Sequence, residues 1–130
     1  MDIKYKGPER RKHKRLKVNF LVIYSVRKPI DVIMIVGSQV KTAMMLDLSE
    51  SGMAIVTNYD IPISTILEIK FTLINTHAHD EDRIKTIEII GQVRYNVQAE
   101  KDVHRLGIYF TQITEEDRSA IARFVNLAIE

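Results

Sequence analysis

Leu67-Glu68-Ile69-Lys70-Phe71-Thr72-Leu73 alternates apolar with charged or polar side chains without a break. A period of two is that of a β-strand with one face buried and the other in water. The pattern recurs downstream. Ile87, Ile89, Val93, Tyr95 and Val97 share one face, against Glu88, Gln92, Arg94 and Asn96 on the other. Leu106, Ile108 and Phe110 then alternate with Arg105 and Tyr109. Gly91 interrupts its run, which predicts a bulge or sharp bend of the kind a closing sheet needs.

Upstream, Val18–Val26 is a nearly continuous apolar strand, and Val40–Leu46 and Met53–Val56 are extended segments either side of Asp47-Leu48-Ser49-Glu50-Ser51-Gly52. Ile30–Val36 is apolar and ends at Gly37-Ser38; strand and short buried helix are both open for a run this short. The last segment changes period. Thr114 can cap a helix whose first turn holds Glu115, Glu116 and Asp117, where the helix dipole favours negative charge. Ile121, Phe124, Val125, Ala128 and Ile129 follow as a stripe at helical spacing. Five or six antiparallel strands and one amphipathic helix predict a mainly β fold, a small barrel with the helix at its side or mouth.

The chain has 130 residues, 45% apolar and 28% charged, a composition that supports one domain with a core of its own. With no cysteine, disulfide scaffolds, thiol catalysis and cysteine-ligated zinc are excluded. That is compatible with a reducing compartment, and a cytoplasmic location is expected. A basic start ahead of Val18–Val26 superficially resembles a secretory signal, but a small-residue cleavage pattern is missing and Arg27-Lys28-Pro29 follows. No apolar run reaches membrane-spanning length, and no membrane partner is expected.

The net charge of +2 conceals an asymmetry. Residues 1–17 hold eight Lys or Arg against Asp2 and Glu9, whereas the remainder holds eleven basic groups against fifteen acidic ones. The positive charge is local and points to an anionic partner. Residues 1–17, with Gly7-Pro8 as a breaker, read as an exposed, mobile basic arm, and 18–130 as the folded body.

Two short motifs could carry chemistry. In Arg10-Arg11-Lys12-His13-Lys14-Arg15, Arg11 and Arg15 are separated by three residues. A guanidinium fork donates two parallel hydrogen bonds to a phosphodiester, or to guanine O6 and N7. The plainer reading is a solvated basic tail with salt-sensitive affinity for any polyanion. In Asp47-x-Ser49-x-x-Gly52, Asp and Ser can bond their own backbone as a turn. Alternatively they form a polar shelf, with Asp47 accepting from guanine N–H groups, Ser49 donating to ligand oxygen and Gly52 permitting close approach.

Together these residues resemble the PilZ domain family, whose signature is RxxxR, a strand, then [DN]xSxxG opening the next strand. Arg11–Arg15 and Asp47–Gly52 match it in order, with further similarity in Gly91-Gln92-Val93-Arg94, Leu106-Gly107-Ile108-Tyr109-Phe110 and the terminal helix. The resemblance covers about residues 9–127. The Ile30–Val40 connection is longer than is usual in the family.

The resemblance implies a six-stranded antiparallel β-barrel with a C-terminal amphipathic α-helix. It implies a non-catalytic receptor that binds cyclic di-GMP on its outer surface, without a cofactor or metal, and signals to a protein partner. Arg11 and Arg15 would grip phosphate and guanine, Asp47 and Ser49 a guanine edge, and Gly52 would shape the shelf; Arg94 is a weaker candidate. An arginine directly before the motif, here Arg10, is associated in the family with binding an intercalated cyclic di-GMP dimer.

Two other classes are weighed. A basic-arm barrel on nucleic acid would present aromatic rings on the polar face for base stacking. Tyr95 and Phe110 fall on the apolar faces, leaving Tyr109 and Tyr59 as exposed rings, and a nucleic-acid partner is not favoured. For an enzyme, His77-x-His79-Asp80 lies in a polar loop without the ligand count of a metal site, and no Ser-His-acid set or phosphate-cradling glycine loop is present.

Overall fold

The computed structural model describes residues 14–74 and 84–129, and for 128 and 129 the backbone alone. The elements run β1 (Leu16–Lys28), α1 (Ile30–Val36), β2 (Lys41–Leu48), β3 (Gly52–Thr57), β4 (Ile66–Ile74), β5 (Ile84–Glu100), β6 (Val103–Gln112) and α2 (Glu115–Ile129). The strands pair antiparallel in the order β1-β2-β3-β6-β5-β4, and β1 returns to β4 to close the ring. Closure removes the exposed sheet edges that would otherwise recruit other chains.

The period of two decides which side chains enter. Val22, Tyr24 and Val26 of β1 are buried, as are Leu67, Ile69, Phe71 and Leu73 of β4, and Ile87, Ile89 and Val93 of β5. Leu106, Ile108 and Phe110 of β6 complete the interior with Met45, Leu48, Met53 and Ile55. Each such burial is worth about 1.5–3 kcal/mol against exposure. Tyr24 buries its hydroxyl against Thr57 Oγ1 at 2.6 Å, and that burial pushes its phenol up to about 12 even though the hydrogen bond works the other way. β1 contains the expected Val18–Val26 and extends beyond it at both ends, but its apolar run is not buried throughout, since Leu21 and Ile23 point outward.

The bulge predicted at Gly91 is present as a register shift between Ile90 and Gly91. A second shift, between Val93 and Tyr95, changes the phase of β5. It turns Tyr95 and Val97 onto the outer face, where Val97 is exposed, and corrects their placement on the buried one. One extra residue reverses every side chain beyond it.

Ile30–Val36 is a helix. Gly37, at φ 93, ends it and donates its N–H to Ile33 O, while the Lys41 amine lies 3.1 Å from the carbonyls of Gly37 and Gln39. The expected cap of α2 is formed: Asp117 N–H donates to Thr114 Oγ1 at 3.1 Å. Ile121 and Val125 enter the core, Phe124 meets Phe20 with ring centroids 5.7 Å apart, and Lys85 pairs with Glu116. α2 is thereby held against β1 and β5. Arg15 and the Asp47–Gly52 turn lie at the end of the ring where β1 starts; α1 lies at the other.

Candidate functional site

The β1–β2 register sets Leu16 opposite Leu48 and Lys17 opposite Asp47. Arg15, one residue ahead of β1, therefore arrives beside the start of the β2–β3 turn. Its Nη1 donates to Asp47 Oδ1 at 2.8 Å across 32 residues of sequence. On the other side, β3 joins β6, with Ala54 opposite Gly107 and Val56 opposite Arg105. That brings Arg105 Nη2 to 3.5 Å from Asp47 Oδ2. Asp47 thus holds one guanidinium on each carboxylate oxygen, with its side chain only 12% exposed. Arg15 Nε is buried with no hydrogen-bond partner among the described residues. An unmet buried donor costs about 1–3 kcal/mol, so this group favours an added acceptor.

Ser49 is almost wholly buried. Its Oγ accepts from the amides of Ser51 and Gly52 at 3.3 and 3.2 Å and donates to Gly52 O at 3.3 Å. The hydroxyl is engaged within the turn, which is the self-bonding reading of the motif. Gly52 pairs with Tyr109, and a Cβ at Gly52 would lie 2.3 Å from Ile108 O. The glycine is therefore required by the approach of β6, whatever lies above it. Phe110 N–H donates to Ser51 O, and Arg118 Nη1 of α2 donates to Glu50 O at 3.3 Å. The turn is tied to both β6 and the terminal helix.

Beyond Asp47 the outer wall is flat. Gly107 carries no side chain, and the Tyr95 ring occupies the space its Cβ would take. Next along β6, Tyr109 is exposed, and the Arg94 guanidinium lies 4.5 Å from its ring centroid. The wall offers the three guanidinium groups of Arg15, Arg105 and Arg94, the Asp47 carboxylate and the rings of Tyr95 and Tyr109. That arrangement suits a ligand with both phosphates and planar bases. A separate groove of about 780 Å³ crosses the outer faces of β1, β4 and β5, lined by Ile23, Glu68, Lys70, Glu88 and Arg118 among others.

Of the residues singled out from sequence, Arg15, Asp47, Ser49 and Gly52 come together at this turn, and Arg94 lies on the same outer wall. Arg10 and Arg11 lie outside the described residues, as do His77, His79 and Asp80. Among the described residues no group of three His, Cys, Asp or Glu side chains could hold a metal ion. Sequence reasoning missed Arg105. It placed that residue on the wet face of β6 correctly, but its nearness to Asp47 follows from the β2-β3-β6 order, which a linear pattern does not carry.

The family description "PilZ domain" matches residues 9–127. No curated protein sequence matches. Solved structures share the fold. Inhibitor of motility (MotI/DgrA) from Bacillus subtilis is 15% identical with a TM-score of 0.73, over 92% of this chain and 51% of that one. The PilZ domain of YcgR from Escherichia coli, solved with c-di-GMP, is 13% identical with a TM-score of 0.55, over 91% of this chain and 90% of that one. The MrkH–c-di-GMP complex from K. pneumonia is 14% identical with a TM-score of 0.57, over 92% of this chain and 52% of that one. The chain spans about half the length of the MotI and MrkH chains.

Proposed function

The chain belongs to the PilZ domain family, and from that membership we propose that it is a non-catalytic receptor for cyclic di-GMP. The observation that carries the reading is the convergence of Arg15, Arg105 and Asp47 at the rim of the Asp47–Gly52 turn. It joins the two halves of the ligand signature in one charged cluster on the outer wall.

In this reading Arg15 turns from Asp47 to a ligand phosphate or guanine, and Arg105 keeps the carboxylate paired while it does so. Asp47 then presents an oxygen to guanine N–H groups. Ser49 and Gly52 hold the turn in shape. Arg10 and Arg11 add guanidinium groups from the segment ahead of Arg15, and Arg10 recruits a second molecule of an intercalated pair. Fixing a residue costs about 1–2 kcal/mol, so binding can order only a short stretch. Of the expected stretch Glu9–Leu16, Leu16 is already paired with Leu48 in β1, so the tightening over the ligand belongs to the residues ahead of it, and that change alters the surface offered to a partner protein.

Isothermal titration of the full chain with cyclic di-GMP tests this, with GTP and a short oligonucleotide as controls. Micromolar or tighter affinity is expected, on the order of −8 kcal/mol. Arg15→Ala and Asp47→Ala should each weaken it, Arg15→Ala by roughly 2 kcal/mol. Binding that is equal for the oligonucleotide, or untouched by both substitutions, would overturn the assignment.

A further inference from the structure

α1 is apolar on both sides. Its inner face is ordinary: Val32 is buried, and Ile33 and Val36 pack half-buried against the core. Its outer face is not. Ile30 is 63% exposed, Met34 79% and Ile35 83%, and Val40 just beyond is 63% exposed. Asp31 is the one charged residue between 30 and 36. A surface helix normally turns polar residues outward, and one that is apolar all round belongs against another apolar phase. Nothing in the packing of the barrel asks for large aliphatic side chains at 34 and 35.

The neighbours of the patch say what that phase is. Arg27 and Lys28 end β1 just ahead of Pro29 and the helix, are exposed, and their side chains make no hydrogen bond or ion pair among the described residues. The hairpin tip Glu100-Lys101-Asp102, net acidic by one charge, rises from β5 and β6, across the ring from β1. Aliphatic side chains beside unpaired cations complement an anionic lipid surface, in which acyl chains receive the former and headgroups the latter. A second copy of the chain fits less well. Four such side chains present roughly 500 Å², short of the ~800 Å² a side that a stable dimer buries. A two-fold contact through so small a patch would also crowd both copies' Arg27 and Lys28 at one rim.

We propose that α1, with Arg27 and Lys28, is a peripheral membrane-docking element that seats the barrel on an anionic bilayer. No segment of the protein needs to span the membrane for this, and no helix of the described residues is long and apolar enough to do so. The docked end is the one away from Arg15 and Asp47. β1, at about 3.3 Å per residue, separates the two ends by roughly 40 Å and leaves the ligand wall in water. The inference does not depend on which ligand that wall takes.

Co-sedimentation of the full chain with vesicles tests it. The parent should pellet with phosphatidylcholine vesicles containing phosphatidylglycerol and remain in solution with phosphatidylcholine alone. Met34→Glu combined with Ile35→Glu should lower the bound fraction about tenfold or more, with the thermal melt unchanged because both side chains are exposed. The basic segment 1–17 could hold the chain to such vesicles by charge alone, so depth must be read separately. The chain has no tryptophan, and Ile35→Trp therefore gives a single reporter. Its emission should shift to the blue on mixed vesicles and be quenched by brominated acyl chains. The proposal is overturned by failure to pellet, or by pelleting with an unshifted reporter, which would assign the attachment to the charge of segment 1–17 alone. It is equally overturned if equilibrium sedimentation shows a dimer that Ile35→Glu dissociates.

Discussion

Replacing Gly52 by alanine separates two reasons for a glycine in the ligand signature. If the residue serves only a ligand, the unliganded protein should tolerate a methyl group there. The structure gives the other answer, because a Cβ at 52 would meet the Ile108 carbonyl oxygen at 2.3 Å. Ordinary contact begins near 3.4 Å, so β3 and β6 would have to separate by about 1 Å. The obstacle is backbone and cannot swing aside. Neither strand can retreat freely, since β6 is held by β5 on its far side and β3 by β2. Overpacking of this kind costs about 1–3 kcal/mol. In a chain of this size each kcal/mol moves the midpoint by about 3–4 °C, so Gly52→Ala should lower Tm by roughly 3–12 °C. The assay is far-UV circular dichroism melting of the full chain without ligand. A midpoint within a degree of the parent would show that the strands relax without cost and that the glycine is not there for β6.

Three further outcomes are expected. Arg105→Ala should leave the melt nearly unchanged but weaken cyclic di-GMP about two- to fivefold in calorimetry, as expected for a half-exposed ion pair; an unaltered Kd would remove Arg105 from the site. Arg10→Leu should lower the binding ratio from near two towards one while binding persists, and a ratio of one in both proteins would leave Arg10 without that role. The Tyr24 phenol is raised from 10 to about 12 in the folded state, so the unfolded chain releases this proton first and stability falls as pH rises from about 10 through 12. In Tyr24→Phe that decline should flatten, and denaturant midpoints of equal slope against pH in the two proteins would refute the assignment.

The parts of the fold that alternation governs were readable. The inward sets of β4 and β6 follow the period of two along their whole length, and Thr114 caps α2 as its position predicts. The parts set by a count between strands were not. Tyr95 and Val97 continue the apolar alternation of β5 in sequence, yet the shift after Val93 turns them outward. Such a bulge is a property of the β5–β6 pair, and neither strand shows it alone. The helix at Ile30–Val36 illustrates a different limit: six of its seven residues are apolar, so no polar face marks a period. At the site, the two motifs were legible as motifs and their partners were not. Asp47 was assigned to a ligand, whereas its first partners are Arg15 and Arg105. Ser49 was offered as a donor to a ligand, whereas its hydroxyl is first engaged by three groups of its own turn.

Under the proposed function, how a ligand on the outer wall would reach a partner is constrained by what the barrel can do. Its interior holds Met45, Leu48, Met53, Ile55, Leu67, Ile87 and Leu106 at essentially zero exposure. A packed interior under a closed ladder has no second arrangement nearby, and interiors of this density do not deform continuously. The response must therefore travel along what hangs from the ring. Two such attachments meet at the signature turn. One is the chain ahead of Arg15, anchored where Leu16 pairs with Leu48. The other is α2, reached by a single hydrogen bond from Arg118 to Glu50 O. The first is coupled to the ligand by a charged group that must change partner, Arg15 on Asp47. The second is coupled only if the turn itself moves, and Ser49, Ser51 and Gly52 bond that turn to itself and to β6. The stiffer the turn, the more of the binding event is expressed at Arg15 and the segment before it. Under the proposed function, any switching therefore falls to the N-terminal side of the site, with α2 as a brace.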